Sequence, residues 1–136
     1  MGDHTELDRR IGRELAVPVD PGVAELATAI RRRHGGVAAV LHYGSCLRRR
    51  TLEGVLDYFV LVDSYRTAYR SRRLAVLNRL VPPNVFRIDV PTSRGVLKAK
   101  YAVLKVADFA RAAGRRHPHP YVWGRFAQPA ALVYCG

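Results

Sequence analysis

The stretch Leu41 to Tyr65, LHYGSCLRRRTLEGVLDYFVLVDSY, constrains this chain more than any other. A short apolar run, Val37 to His42, enters a Gly-Ser turn and three arginines. A second run, Val55 to Val62, is rich in β-branched and aromatic residues and reads as a strand. That second strand carries Asp57 in its body. A carboxylate inside a strand is costly unless charge or hydrogen bonds compensate it. Two partners suit it: a divalent metal carrying a triphosphate, or an arginine from the rim of the sheet.

The remaining elements follow from local punctuation. In VDPGVAELATAIRRRHGG, Asp20 is placed to cap a helix and Pro21 fits its first position. Val23, Leu26, Ala27 and Ile30 form one apolar face, and Gly35-Gly36 ends the element. Ser64 to Leu80 reads as one helix, with Arg66, Arg70 and Arg73 near one face, ended by Pro82-Pro83. Val85 to Val90 is a third strand, PTSRG has the composition of a hairpin turn, and Val96 to Leu104 is a fourth strand. A short helix follows over Val106 to Ala113, and the chain closes on a strand-like run. The order α-β-β-α-β-β-α predicts a single α/β (α+β) domain over residues 1–136, a small mixed sheet with helices packed on one side.

Charge narrows the partners. The chain has 23 Lys and Arg against 11 Asp and Glu, and 20 of the bases are arginine. Between Leu26 and Val106 the only acids are Glu53, Asp57, Asp63 and Asp89. Such a field attracts polyanions: a nucleoside triphosphate, nucleic acid or an anionic membrane surface. No apolar run is long enough to span a bilayer, and the first ten residues lack the apolar region of a secretory signal, so the cytoplasm is the default expectation. Cys46 and Cys135 have no metal-binding spacing and read as free thiols.

The Gly44-Ser45 turn supplies backbone N–H groups and a hydroxyl that suit a phosphate. Asp57 and Asp63 point to the same strand face but lie about 20 Å apart, so they cannot share an ion. Phe59 occupies the position beside Asp57, which leaves Asp89 on another strand as the second acid. Magnesium tolerates one or two carboxylates with phosphates and water, so Asp57 with Asp89 is a sufficient set. All three lysines, Lys98, Lys100 and Lys105, fall within eight residues. Lys98 and Lys100 share a face of the fourth strand, fit either for a phosphate or for plain solvation. His117 and His119 could be metal ligands or an acid-base pair, and read more simply as a polar loop. Trp123 and Phe126 read as core.

These residues resemble the nucleotidyltransferase superfamily, whose Gly-Ser turn and strand aspartates hold Mg-NTP. The closer resemblance is to mitochondrial-type phosphatidate cytidylyltransferases (CDP-diacylglycerol synthases) and their bacterial relatives. It rests on HYGSC (His42 to Cys46), LDYF (Leu56 to Phe59), PPNVFRIDV (Pro82 to Val90), KAKYAVL (Lys98 to Leu104) and WGRFAQP (Trp123 to Pro129), in that order. The resemblance implies that Gly44 and Ser45 hold the triphosphate, Asp57 ligates Mg²⁺, and Lys100 with Tyr101 forms the family's lysine-tyrosine motif. It implies CTP and phosphatidate as substrates, CDP-diacylglycerol and pyrophosphate as products, and peripheral contact with an anionic membrane, at its inner face. The superfamily's second acid is replaced here by Phe59. The family's further helical, winged-helix-like C-terminal region is absent or truncated in this sequence. Two other functions fit the residues: an antitoxin-type nucleotidyltransferase acting on protein, RNA or a small molecule, and a non-catalytic basic module that binds nucleic acid.

Overall fold

The computed structural model describes residues 2–80, 84–114 and 129–136. Its elements, in order, are α1 (Gly2–Leu15), α2 (Pro21–Arg31), β1 (Val37–Tyr43), α3 (Ser45–Arg49), β2 (Val55–Val62), α4 (Tyr65–Ala68), α5 (Arg72–Leu80), β3 (Asn84–Thr92), β4 (Gly95–Lys105), α6 (Val106–Ala112) and β5 (Ala130–Cys135). The five strands form one sheet in the order β3-β4-β2-β1-β5. All neighbours are antiparallel except β2 and β4, which run parallel. The expected mixed α/β class holds.

Residue alternation decides which element covers which face. Leu56, Tyr58, Val60 and Val62 of β2 pack with Ile88, Leu97, Ala99, Tyr101 and Val103 against α2 and α4. The four apolar residues expected to face inward from α2 are all buried there. Asp20 caps that helix, accepting from the Gly22 N–H at 2.8 Å. The Tyr58 hydroxyl fixes its first turn by donating to the Val23 carbonyl at 3.0 Å. The other face is covered over only part of its area. Leu41, Tyr43, Phe59, Leu61, Ala102 and Leu104 pack there with Leu15 from α1 and with Phe109 and Ala112 from α6. Helices therefore lie on both sides, with the larger layer on the first.

The single helix expected over Ser64 to Leu80 is two helices. Tyr69 leaves helical geometry (φ −118°, ψ 138°). Breaking the helix here lets its ring enter the core, where its hydroxyl donates to Oδ1 of the buried Asn78. Nδ2 of Asn78 donates to the Val103 carbonyl at 3.2 Å, which ties α5 to β4. Asn84 adds a bond from its Nδ2 to the Leu74 carbonyl at 3.2 Å. One consequence is that Arg66, Arg70 and Arg73 do not form one helical face: Arg66 is on α4, Arg70 is in the link and Arg73 is on α5. The α1 helix carries Leu7, Ile11 and Leu15 four residues apart, a stripe that escaped the sequence reading. The hairpin turn is present, with Thr92 paired to Gly95, whose φ is +91°. Pro91 sits on the edge strand β3, where the lack of an N–H costs least.

Candidate functional site

The turn after β1 is shaped by a residue that only glycine replaces without strain. Gly44 has φ +94° and ψ −166°, a region essentially reserved for glycine. Its backbone lies so close to β2 that a Cβ built there would be 2.8 Å from Oδ2 of Asp57. Ser45 then opens the short helix α3 and is exposed, and the Arg48 N–H closes its first turn on the Gly44 carbonyl at 3.2 Å. A helical turn thus follows Gly44 directly.

Asp57 is flanked on its other side by a cation. It lies opposite Tyr43 on β1 and opposite Lys100 on β4. Nζ of Lys100 is 3.6 Å from Oδ1 of Asp57, with the carboxylate side chain 20% exposed. One carboxylate oxygen thus faces the lysine and the other faces the glycine turn. Phe59, fully buried and stacked on Tyr43 at 4.8 Å, forms an apolar wall beside the pair on the same face. Beyond it, where the helices no longer cover the sheet, Lys98 and Arg87 are exposed. Arg87 is opposite Lys100 in the register, and Lys98 is opposite both Val55 and Asp89. Asp57, Lys98, Lys100, Arg87 and Asp89 therefore share one open face.

Two of the sequence expectations fail on geometry. Asp89 shares the face of Asp57, but β4 lies between β2 and β3, so the two acids are on non-adjacent strands. Two strand spacings across and two residues along the register separate them by about 12 Å, with β4 and its lysines between. They cannot ligate one ion, and Asp89 drops out of the metal set. Tyr101 follows Lys100 directly and so points to the opposite face. It is 2% exposed in the main core, stacked on Phe86 and bonded to His34. It cannot touch a nucleotide held by Lys100. Asp63, at the far end of β2, is exposed. His117, His119, Trp123 and Phe126 lie outside the described residues.

Among the described residues, no cluster of three or more His, Cys, Asp or Glu side chains forms a cage. Asp57 would hold a metal together with the triphosphate it arrives with, the phosphates and water supplying further oxygen ligands. The described residues around it supply no further acid within reach of the same ion.

Behind the turn, on the opposite side of the sheet from the Asp57 carboxylate, sequence reasoning missed His42. It is 1% exposed, and its Nδ1–H donates to the Asp57 backbone carbonyl at 3.0 Å. With Cys46 and Val23 it lines a cavity of about 470 Å³. The signal was its place in the strand, one residue before Tyr43 and so of opposite facing. Burial raises the Cys46 thiol above its ordinary value, and its Sγ–H donates to the Glu53 and Val55 carbonyls, so it is structural.

His34 is a second imidazole held inside the fold, half-buried rather than fully enclosed. Its Nδ1–H donates to the Ala68 carbonyl at 3.2 Å, which leaves Nε2 to accept from the Tyr101 hydroxyl at 3.1 Å. Burial is the main cause holding both histidines below the ordinary 6.5. Both are neutral in the folded protein at neutral pH and charged more readily when unfolded. The unfolded chain thus binds more protons as pH falls below about 6.5, and the stability that depends on neutral imidazoles is lost as pH drops through their folded values. Urea midpoints are expected to be lower at about pH 5 than at about pH 7.5. Equal midpoints would show that the imidazoles do not control stability.

The chain matches no protein-family model and no curated protein.

Proposed function

We propose that the open face around Asp57 binds a nucleoside triphosphate with Mg²⁺ and that the protein is a nucleotidyltransferase. The substrate pair follows from the resemblance: CTP as donor and phosphatidate as acceptor. The observation that carries the reading is the approach of the Gly44 backbone to Asp57, close enough to exclude any side chain, with Lys100 on the other side. A structural ion pair alone needs no such glycine.

In this reading the Gly44-Ser45 turn receives the triphosphate and Lys100 neutralises phosphate charge beside Asp57. Bound Mg²⁺, held by Asp57 and the phosphates, supplies further charge neutralisation. An oxygen of the phosphatidate monoester forms the new bond to the α-phosphorus of CTP. The bond from the α-phosphorus to the bridging oxygen breaks, and pyrophosphate leaves. The attacking oxygen is already anionic, so no strong base is needed and the protein's contribution is alignment and charge compensation.

Calorimetric titration of CTP, UTP, ATP and GTP, with and without Mg²⁺, tests the site. CTP is expected to bind only with Mg²⁺, and Asp57→Asn is expected to weaken it at least about tenfold, a loss of about 1.4 kcal/mol, with the fold intact. Absence of Mg-dependent binding by any of the four would overturn the reading. CMP transfer to phosphatidate in vesicles tests the acceptor. Transfer to protein or RNA instead would move the assignment to the antitoxin-type alternative.

A further inference from the structure

A second basic site lies at the other end of the sheet. Where β2 and β4 end side by side, a groove of about 570 Å³ opens between Asp63-Ser64 and α5. Arg66, Arg72, Arg79 and Lys105 line it, and among the described residues Asp63 is the one acid in the lining. Among the described residues, none of these four cations is paired with a carboxylate. Like charges gathered this closely repel one another unless an anion joins them.

The helix that forms one wall of this groove is inverted. Its buried position is a polar residue, Asn78, whereas Val76, Leu77 and Leu80 are 55%, 52% and 73% exposed. At 100° per residue these three, with Arg73 among them, span one outward face, and Arg72 and Arg79 flank it. Val76 and both flanking arginines also line the groove, so apolar ridge and basic groove form one surface.

We propose that this surface docks on an anionic phospholipid bilayer, with Val76, Leu77 and Leu80 entering the headgroup–acyl boundary and a lipid phosphate in the groove. Charge complementarity selects this occupant: an interfacial helix combines apolar side chains on one face with flanking arginines, and unpaired cations find their counter-charge in the lipid phosphates. No helix among the described residues is long and apolar enough to cross a membrane, so the contact is superficial. The groove is not where an acceptor lipid reacts. Asp63 follows Asp57 by six residues of extended chain, about 20 Å, so a phosphate held here is beyond reach of the transfer site. The docking surface is therefore separate from the transfer site, although contact with an anionic membrane is itself an expectation of the resemblance behind the substrate reading.

Vesicle sedimentation decides it, using phosphatidylcholine alone and phosphatidylcholine with about 30% phosphatidylglycerol, a lipid that is no acceptor. The full chain is expected to pellet with the anionic vesicles and not with the neutral ones. Leu77→Asp with Leu80→Asp, both at exposed positions, is expected to weaken pelleting at least about tenfold while leaving Mg-CTP titration unchanged. Arg72→Ala with Arg79→Ala is expected to weaken it about fivefold per arginine, again without effect on CTP. Circular dichroism confirms the fold of each variant. Unchanged pelleting in the leucine variant, or no preference for anionic vesicles, overturns the proposal. So does a dimer that the leucine variant dissolves, which would make a second copy the occupant. Single-stranded RNA binding lost with the arginines but kept without the leucines would likewise identify a polyanion site instead.

Discussion

Gly44→Ala is expected to destabilise the protein and remove nucleotide binding together. Alanine at φ +94° and ψ −166° carries backbone strain of about 1–3 kcal/mol. Its Cβ would also stand 2.8 Å from Oδ2 of Asp57, which forces the carboxylate away and adds about 1–3 kcal/mol of crowding. These two contributions separate in a double-mutant cycle. Asp57→Ala removes the oxygen in conflict and leaves a nearest contact of ordinary length, the Asp57 Cβ at 3.5 Å. The double variant should therefore recover the crowding part and keep the backbone part, giving a coupling of about 1–2 kcal/mol by urea denaturation. Strict additivity would mean that the turn and the carboxylate do not touch. A Gly44→Ala protein that binds Mg-CTP normally would remove the observation on which the functional reading rests.

Asn78→Ala is expected to be the most damaging substitution on α5, although Asn78 is polar and the helix also carries Leu74, Leu77 and Leu80. Asn78 is completely buried, accepts from Tyr69 and donates to the Val103 carbonyl. Removing it leaves the Tyr69 hydroxyl proton without its acceptor, although Asn84 still donates to that oxygen, and takes a donor from the Val103 carbonyl, each at about 1–3 kcal/mol, so about 2–6 kcal/mol is expected in total. That is a large part of the 5–15 kcal/mol typical of a domain. Leu77→Ala, four-carbon chain to methyl on the same helix, should cost no more than about 0.5 kcal/mol because Leu77 is exposed. Comparing the two urea midpoints checks the claim directly. The reverse order would place α5 the other way round on the sheet.

Much of this was legible in the sequence because the signals were local. The bounds of β2 match its run of β-branched and aromatic residues, and Asp20-Pro21 starts α2 where capping chemistry requires. The Gly-Ser turn and the strand aspartate do meet. What was not legible depends on which distant strands pair. Nothing in NVFRIDV says that β4 will lie between it and β2, and that insertion alone separates Asp89 from Asp57. The break at Tyr69 was hidden for a similar reason: its partners, Asn78 and Asn84, lie nine and fifteen residues away, and helix propensity does not register them. The Tyr101 assignment failed differently. Adjacent residues on a strand face opposite ways, so a lysine and tyrosine side by side cannot serve one site from a regular strand, and that was readable from alternation.

The parallel pairing of β2 with β4 has a bearing on how the chain assembles. β1 and β2 are joined by a short connection, and so are β3 and β4, so each pair has a small loop to close. Only the β2–β4 seam joins the two, and it closes the longer span carrying α4, α5 and β3, which is entropically the dearer closure. Asp57 belongs to one of these units and Lys100 to the other. Their meeting across the seam therefore carries the larger closure cost, and a chain cut short of β4 would hold the carboxylate and the glycine turn without Lys100 beside them.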